Sequence, residues 1–581
     1  MKKIYTFIAF WLVSLNVNAQ NFEWVRQIGG SHSDYGMDIT TDNEGNILST
    51  GHFSGNVDFD PGLGTHFLST ESSPGVFSYN CYISKVSTEG NFLWAKQIGG
   101  RFADLAYAVT TDNVGNIYVT GTFQDTVDFD PGVGIYTLSA GSGFDIFILK
   151  LDPNGNFIWA KNFEDDFNTS NNYEVSFSID IDIFGNVYTT GYFQGTVDFD
   201  PGLSAFNLTS QGGSDIFIAK LNSTGDFVWA KQIGGVGEDI AYSITVDISG
   251  NIFTIGGFQD TVDFDPNIGT TELVSTDGFD IYINKLDSSG NFSWAKSFDG
   301  SNLLGSNQSF FHINYPSYAI TTDILGNIYA TGGFEDIVDF DPSSNIENLT
   351  SMGGNDIFVI KLDIQGNLLW VNQLGGNGQD IGFSISTDNL GNVFMAGTFQ
   401  NIADFDPKGG VYNISSMGDY DIFLHKLNTS GNFIWVKQIG GTGKDVAQSL
   451  HLDDEGNIYT TGFFSNTVDF DTDNSVFNTT SNGERDIFVH KLSNFTLGAL
   501  DNIDNSLIKI YPNPTSGKIS IELGSTLTNG EVIVSNELGQ IIQIEKFNSS
   551  NFELDIEGNT GINFIMIKVG SFSRVLKIIK K

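Results

Sequence analysis

Hydrophobic and polar residues alternate in short runs along most of this chain, and turns rich in Gly, Asn and Asp separate the runs. After Trp94, residues 106–112, 117–123, 145–151 and 157–163 each alternate as β-strands do. Tight turns connect the first strand to the second and the third to the fourth. No apolar period of 3.6 residues is present, so the pattern predicts four antiparallel strands and no helix in this unit.

The stretch between the second and third strands reads TVDFDPGVGIYTLSAGSG and predicts a small hairpin across Asp130 and Pro131. The whole unit recurs, and its copies are marked by Trp24, Trp94, Trp159, Trp229, Trp294, Trp370 and Trp435. Residues 145–151 (DIFILKL) are apolar on both faces, so this strand must pack between two other sheets. Such sheets repeated radially form a propeller, and we predict an all-β, seven-bladed β-propeller of four-stranded blades followed by a small C-terminal β-sandwich.

The two ends of the repeat array differ by one strand. The first tryptophan strand, residues 22–28, precedes every other element, and no tryptophan strand follows the last DIFVHKL strand at residues 486–492. We therefore predict that residues 22–28 complete the last blade, which hides two sheet edges. One face of the disc then carries only short turns. The other carries the Asp-Pro-Gly excursions and the loops after each tryptophan strand, and we expect binding there.

Charge and composition restrict the partners. The formal net charge is −42, and residues 20–506 hold 17 basic and 62 acidic side chains. This surface repels phosphate groups, so we expect no nucleic acid partner. Residues 1–19 have the lysines, the short apolar run and the small residues of a secretory signal peptide. No later apolar run reaches the roughly 18 residues of a membrane span. Cys81 is the single cysteine and is predicted to be a buried hydrophobic residue.

The strings GNIYVTG, DIFILKLD and FIWAKQIGG carry a resemblance to the bacterial SBBP repeats of seven-bladed β-propellers. We assign the propeller to residues 20–492 and a linker to residues 493–506. The resemblance implies the fold but no single activity.

Residues 507–581 resemble the type A C-terminal sorting domain of type IX secretion cargo. The resemblance rests on Tyr511–Pro514, Gly517, Leu538-Gly539 and Lys577–Lys581, and it departs from the usual pattern at residues 561–564. It implies recognition by the type IX secretion machinery and a secreted or cell-surface protein, after signal-peptide export across the inner membrane. We expect a monomer.

Paired aspartates recur in the D-F-D strings, and Asp128, Asp130, Asp198 and Asp200 represent them. Carboxylate pairs could bind Ca²⁺, although Asp before Pro-Gly is also a favoured turn residue, and no other cofactor is expected. The lysines at one repeat position, such as Lys150, are predicted to pair with carboxylates such as Asp145 and Asp152.

No motif of metal, nucleophilic or phosphate chemistry is present among the seven histidines, the single cysteine and the loop glycines. Features found in every unit are explained by the fold, so function is sought in departures from the repeat. The largest is residues 299–316, where Phe310, Phe311 and Tyr315 form a candidate ligand loop or else fold down over the disc. The sequence favours a non-catalytic binder of a protein or glycan. The alternative is a propeller-fold polysaccharide hydrolase or lyase.

Overall fold

The computed structural model describes residues 18–70, 78–141, 143–165, 173–299, 318–472, 475–496, 509–512, 514–523, 530–536, 541–556, 560–569 and 572–581. Within these ranges the chain forms β-strands and no helix. Accordingly, the described residues include no helix that is long and apolar enough to cross a membrane. Phe22–Ser493 forms one compact unit, and the C-terminal residues from Asn494 onward belong to a second.

Seven antiparallel sheets of the first unit share one strand order, and we number them 1 to 7 along the chain. The N-terminal strand is β1 (Asn18–Ile28). Sheet 1 and its hairpin comprise β2 (Tyr35–Thr41), β3 (Ile47–Phe53), β4 (Asn56–Asp58), β5 (Phe67–Ser69), β6 (Asn80–Val86) and β7 (Phe92–Ile98). Sheet 2 comprises β8 (Leu105–Thr111), β9 (Ile117–Phe123), β10 (Thr126–Asp128), β11 (Thr137–Ser139), β12 (Asp145–Leu151) and β13 (Phe157–Asp165). Sheet 3 comprises β14 (Val175–Ile181), β15 (Val187–Phe193), β16 (Thr196–Asp198), β17 (Asn207–Thr209), β18 (Asp215–Leu221) and β19 (Phe227–Ile233).

Sheet 4 comprises β20 (Ile240–Val246), β21 (Ile252–Asp263), β22 (Glu272–Leu286) and β23 (Phe292–Phe298). Sheet 5 comprises β24 (Tyr318–Thr322), β25 (Ile328–Phe334), β26 (Ile337–Asp339), β27 (Asn348–Thr350), β28 (Asp356–Leu362) and β29 (Leu368–Gly376). Sheet 6 comprises β30 (Ile381–Thr387), β31 (Val393–Phe399), β32 (Ile402–Asp404), β33 (Asn413–Ser415), β34 (Asp421–Leu427) and β35 (Phe433–Gly441). Sheet 7 comprises β36 (Val446–Leu452), β37 (Ile458–Phe464), β38 (Thr467–Asp469), β39 (Asn478–Thr480) and β40 (Asp486–Thr496).

The prediction of four antiparallel strands per repeat unit is confirmed. In sheet 2 the order is β8-β9-β12-β13, and β12 is buried along its whole length. One face of β12 packs with sheet 1, since Phe147 shares a hydrophobic cluster with Ile83. The other face packs with sheet 3, since Ile148 shares a cluster with Phe217. Strands that are apolar on both faces therefore lie between neighbouring sheets, as the pattern indicated.

The Asp-Pro-Gly excursions follow a different path from the expected one. We name the β-hairpins that they form, such as β10–β11, the rim hairpins. Each begins at the face that carries the longer loops but folds back along the outer edge of the sheets, where the Tyr136 ring lies 4.9 Å from Phe157 and Lys408 Nζ donates to Ser430 O at 2.6 Å. Both contacts are made at the short turns of the opposite face. The excursions therefore cover the rim and do not enlarge the loop-rich face.

One pair of hydrogen bonds joins successive sheets. Lys150 Nζ and Trp159 Nε1 of sheet 2 both donate to Ser223 O in the outer turn of sheet 3, at 3.1 and 3.4 Å. Equivalent lysine bonds are Lys85 to Pro153, Lys220 to Ser288, Lys285 to Ile364 and Lys361 to Thr429. The predicted pairing of these lysines with repeat carboxylates is confirmed, since Lys85, Lys150 and Lys220 lie 2.7, 3.9 and 3.9 Å from Asp42, Asp112 and Asp182. The expected partners of Lys150, Asp145 and Asp152, were wrong. These lysines are buried connectors between sheets.

The ends of the array also contact each other. β1 is hydrogen-bonded to β40 as the fourth strand of sheet 7, and Gln27 Nε2 donates to Asp486 Oδ2 at 2.6 Å. Trp24 Nε1 and Lys491 Nζ both donate to Thr88 O of sheet 1, at 3.2 and 3.1 Å. The contact that joins sheet 2 to sheet 3 therefore also joins sheet 7 to sheet 1.

The C-terminal unit has two sheets around one core. Its strands are β41 (Lys509–Tyr511), β42 (Lys518–Glu522), β43 (Gly530–Asn536), β44 (Ile541–Phe547), β45 (Asn551–Asp555), β46 (Gly561–Val569) and β47 (Phe572–Lys580). The first sheet has the order β41-β42-β45 and the second β44-β43-β46-β47. Ile521 and Leu554 of one sheet share a hydrophobic cluster with Val534 and Ile565 of the other. This is the arrangement of a small β-sandwich.

Candidate functional site: the channel and the short-turn face

A cavity of about 310 Å³ is lined by the innermost strands of all seven sheets. We name this cavity the channel. Consecutive residues of the innermost strands line it, such as Met37, Asp38, Ile39 and Thr40 of sheet 1. One level of the channel consists of Met37, Tyr107, Phe177, Tyr242, Tyr318, Phe383 and Gln448. These side chains are only 2–6% exposed and fill the channel at this level.

Ring contacts hold this level together. Ring centroids are 5.2 Å apart for Tyr107 and Phe177, 5.4 Å for Phe177 and Tyr242, and 5.6 Å for Tyr242 and Tyr318. Such spacings are favourable for aromatic pairs. The channel is therefore closed by packed rings at this level, and its free volume lies toward the short turns.

Channel-lining residues next to this level connect neighbouring innermost strands. Asp38 Oδ2 accepts from Val109 N at 2.7 Å, and Asp38 Oδ1 accepts from Ser449 Oγ at 2.6 Å. Burial raises the pKa of Asp38 to about 6. Its carboxylate bonds to both neighbouring sheets, so its contacts are structural.

Buried carboxyl groups meet in pairs between successive sheets, at the end away from the short turns. Asp239 Oδ2 accepts from Gly235 N at 2.8 Å, and Asp215 Oδ2 accepts from Gln232 Nε2 at 2.7 Å. Burial is the main cause that raises the pKa of Asp239 to about 7 and that of Asp215 to about 6. The carboxyl group of Asp215 raises the pKa of Asp239 further. The corresponding pairs are Asp356 with Asp380, Asp421 with Asp445, and Asp486 with Asp34.

The glycine pairs that follow five of the seven tryptophan strands lie close to these carboxyl groups. A Cβ on Gly234 would lie 2.2 Å from Asp215 Cγ, and a Cβ on Gly375 would lie 2.9 Å from oxygens of both Asp356 and Asp380. Only glycine permits this approach. The Gly-Gly pairs thus belong to the sheet interface.

The turns that connect each innermost strand to the second strand surround the channel at its other end. We name the surface that they form the short-turn face. Asp112 Oδ1 accepts from Val114 N at 3.1 Å and from Asn116 N at 2.8 Å. Gly115 has a φ of +84°. The equivalent Asp makes both bonds in every sheet, so the backbone hydrogen bonds of the turn do not require a particular side chain at its second or third position.

The residues at these two positions differ between the sheets. Sheets 2 to 6 carry apolar side chains there, each 65–77% exposed: Val114, Ile183, Phe184, Ile248, Ile324, Leu325 and Leu390. We name this set the apolar arc. Sheets 1 and 7 carry exposed polar and acidic residues at the same positions, namely Asn43, Glu44, Asp454 and Glu455. The short-turn face therefore has an apolar part and an acidic part.

A second cavity, of about 420 Å³, lies between the turns of sheets 2 and 3. Val114, Ile183 and Phe184 are part of its lining. The Asp112 and Asp182 carboxylates in its wall are occupied by their own turns and by Tyr118 and Tyr188. The cavity can therefore admit an apolar side chain, while its carboxylates are already bonded.

The predicted D-F-D aspartates form a hydrogen-bonded turn in every rim hairpin. Asp128 Oδ1 accepts from Asp130 N and Tyr136 N, at 3.0 and 2.8 Å, and Asp130 Oδ1 accepts from Gly132 N at 2.8 Å. Asp198 and Asp200 make the same bonds, at 2.7–3.0 Å. The Phe between each Asp pair is fully buried. Among the described residues no group of three His, Cys, Asp or Glu is placed to hold a metal ion.

Replacing Asp128 by alanine is expected to lower the free energy of unfolding by about 1–3 kcal/mol, because two backbone N–H groups lose their acceptor. The loss should be equal in EDTA and in millimolar Ca²⁺, measured by denaturant unfolding. Asp130→Ala is the control and should cost less than about 1 kcal/mol, since one exposed bond is lost. A loss that occurs only with Ca²⁺ present would instead identify a calcium site.

Three histidines are buried and a fourth, His451, is half-buried, and all four are uncharged at neutral pH. Burial lowers the pKa of His52, His425 and His490 to about 3 and that of His451 to about 4. Cys81 is 1% exposed, and burial raises its thiol pKa, as expected of a buried hydrophobic residue. The candidate ligand loop with Phe310, Phe311 and Tyr315 lies outside the described residues.

The short turns on this face are predicted by the sequence, but a binding site on them is not, because the turns share one pattern of Asp, Gly and Asn. The sequence does distinguish these turns. Those of sheets 1 and 7 read DNEGN and DDEGN, whereas those of sheets 3 and 5 read DIFGN and DILGN. That difference is itself a departure from the repeat.

Known proteins share parts of this chain. Residues 23–58, 93–122, 228–256, 369–398 and 434–462 match the family described as a β-propeller repeat. Residues 509–581 match the family described as a secretion system C-terminal sorting domain. An uncharacterized WD repeat-containing protein, L264, of Acanthamoeba polyphaga mimivirus is 23% identical in an alignment of 515 residues that covers 76% of this chain and 36% of that protein, so the chain spans about a third of that relative's length. The regulatory protein FlaEY of Caulobacter vibrioides is 25% identical over 137 residues, 24% of this chain and 14% of that protein.

Among solved structures, a rhamnogalacturonan lyase, PL11, of Bacillus licheniformis is 12% identical and covers 97% of this chain and 91% of its own, with a TM-score of 0.22. That score is too low to inform fold or activity. The repeat matches agree with the radial packing of like sheets, and the C-terminal match agrees with the separate sandwich. The chain therefore contains β-propeller repeats and a C-terminal sorting domain, and this domain indicates export through type IX secretion to the cell surface or the extracellular space.

Proposed function

We propose that the exported chain is a non-catalytic binding protein, built as a closed ring of seven blades, which binds another protein through the short-turn face. Closure is supported by the contacts between sheets 7 and 1. Gly29, just after β1, also bridges to Asp58 in the rim hairpin of sheet 1. A closed ring leaves no sheet edge exposed and holds the turns in fixed positions.

The apolar arc is the single observation that carries the binding proposal. Seven branched or aromatic side chains stand exposed on rigid turns in five successive sheets. Contiguous exposed apolar groups on a soluble protein mark interaction sites, because exposing them costs free energy and solubility. The turns do not need these residues, since Glu44 and Glu455 occupy the same position in sheets 1 and 7. Their presence in sheets 2 to 6 therefore serves contact with a partner.

Photo-crosslinking in cells that export the chain tests this proposal. A photoreactive residue is placed at Phe184 or Leu325 in the apolar arc. The control positions are Val236 and Met417, which are also exposed but lie in loops at the opposite face. We expect covalent adducts with one defined protein from the arc positions and none from the controls.

Adducts formed only from Val236 or Met417 would place the site on the loop-rich face and overturn the proposal. Absence of any adduct from all four positions would also overturn it.

A further inference from the structure

We propose that the partner presents a basic amphipathic segment, with apolar side chains that contact the apolar arc and Lys or Arg side chains that contact the acidic turns of sheets 7 and 1. This inference rests on the proposed function and deepens it by naming the chemistry of the partner.

The acidic turns adjoin the arc. Asn43 Nδ2 of sheet 1 donates to Asn113 O of sheet 2, so the turns of these two sheets touch. Glu44 in the sheet 1 turn is exposed and comes next to Asn43 in the chain. Sheet 7 carries exposed Asp454 and Glu455 at the equivalent positions, and sheet 7 packs against sheet 1. One ligand lying across the channel can therefore meet both the apolar and the acidic turns.

The negative charge of the repeat region favours a basic ligand. Residues 20–506 carry 62 acidic and 17 basic side chains, which attracts cationic partners and repels anionic ones. The lysines at the strand position of Lys150 are buried within the sheets, with side chains bonded to turn carbonyls. They do not offset the acidic turns at the surface.

The cavity between sheets 2 and 3 supplies an anchor point. Its lining combines Phe184 and Val114 with polar groups that are already bonded within the turns. An apolar side chain of the partner can fill this space without leaving a carboxylate unpaired. A cavity of about 420 Å³ is large enough for an aromatic or branched side chain.

Fluorescence polarisation with labelled peptides tests the inference on the purified chain. The probes are a short amphipathic peptide of Leu and Lys, its counterpart of Leu and Glu, and oligolysine. We expect the Leu/Lys peptide to bind at least tenfold more tightly than oligolysine, and the Leu/Glu peptide not to bind.

Two double variants with equal charge separate specific from general attraction. Phe184→Glu with Leu325→Glu changes the arc, and Val236→Glu with Met417→Glu changes the opposite face. General attraction would strengthen in both, since each adds two negative charges. We expect the arc variant to weaken Leu/Lys peptide binding by on the order of tenfold, and the control to leave it unchanged.

The acidic turns are tested by a third variant, Glu44→Gln with Asp454→Asn and Glu455→Gln. We expect severalfold weaker binding and a smaller dependence on salt. Equal behaviour of the two Glu double variants, binding of the Leu/Glu peptide, or displacement of the peptide by a neutral oligosaccharide would overturn the inference. A crosslinked partner without a basic segment would overturn it too, while leaving the proposed function intact.

Discussion

Raising the pH from about 5 to about 9 is expected to lower the free energy of unfolding of the repeat region by several kcal/mol. The pKa of Asp34, Asp104, Asp239 and Asp380 is raised to about 7 and that of Asp445 to about 8, chiefly because burial disfavours the charged form. A carboxyl group with a raised folded pKa stabilises the fold fully below its unfolded pKa near 3.8. That contribution is lost progressively as the pH rises from the unfolded pKa to the folded pKa of about 7 or 8, at about 1.4 kcal/mol per unit of pKa difference.

Denaturant unfolding followed by tryptophan fluorescence at pH 5, 7 and 9 measures this effect. The chain supplies a natural control, because Asn80 occupies in sheet 1 the position of Asp215 in sheet 3. Asp215→Asn and Asp356→Asn should therefore be tolerated and should reduce the loss of stability at high pH. Stability that is constant from pH 5 to 9, or that rises, would show that these carboxyl groups are ionised in the folded protein.

Replacing Trp24 by alanine is expected to cost about as much stability as replacing Trp159, roughly 3–5 kcal/mol each. Trp24 is 6% exposed and Trp159 is 9% exposed. Each indole donates to a carbonyl of the next sheet, at 3.2 and 3.4 Å respectively. If β1 closes the ring, Trp24 contributes as much to the free energy of unfolding as the internal Trp159.

Denaturant unfolding of the two variants side by side gives the comparison. Trp159→Ala is the internal control, since sheet 2 is covered by neighbours on both sides. A cost below about 1 kcal/mol for Trp24→Ala, with the full cost for Trp159→Ala, would mean that the first strand frays and that the ring is open.

The elements of each repeat could be predicted from the sequence because they depend on local chemistry. The alternation of apolar and polar residues predicts the strands, and Asp, Asn and Gly predict the turns. The bounds of β8, β9, β12 and β13 therefore lie within two residues of the predicted ones. The interpretation of the D-F-D aspartates as turn residues is confirmed by their hydrogen bonds. Their hydrogen bonds run to residues two and eight positions further along the chain, which is within reach of sequence reasoning.

Contacts between sheets could not be read in this way. Lys150 contacts the carbonyl of Ser223 and the carboxylate of Asp112. Neither residue lies close to Lys150 in the sequence, so the nearby acidic residues do not reveal its partners. The rim path of the excursions likewise depends on contacts with strands of other units. Phe184 and Leu325 are exposed because their backbone N–H groups bond to the Asp side chain that begins the same turn, and their own side chains extend into solvent.

By itself the sequence determined an all-β repeat, its strands and turns, and a sorting domain for type IX export, because each rests on residues close together in the chain. Only the tertiary structure decided which carboxyl groups meet between sheets and which apolar side chains surround the channel. Contacts between neighbouring sheets join residues that are 24 positions apart, as in Ser214 and Glu238, or 71 positions apart, as in Asp38 and Val109, and packing alone brings such neighbours together.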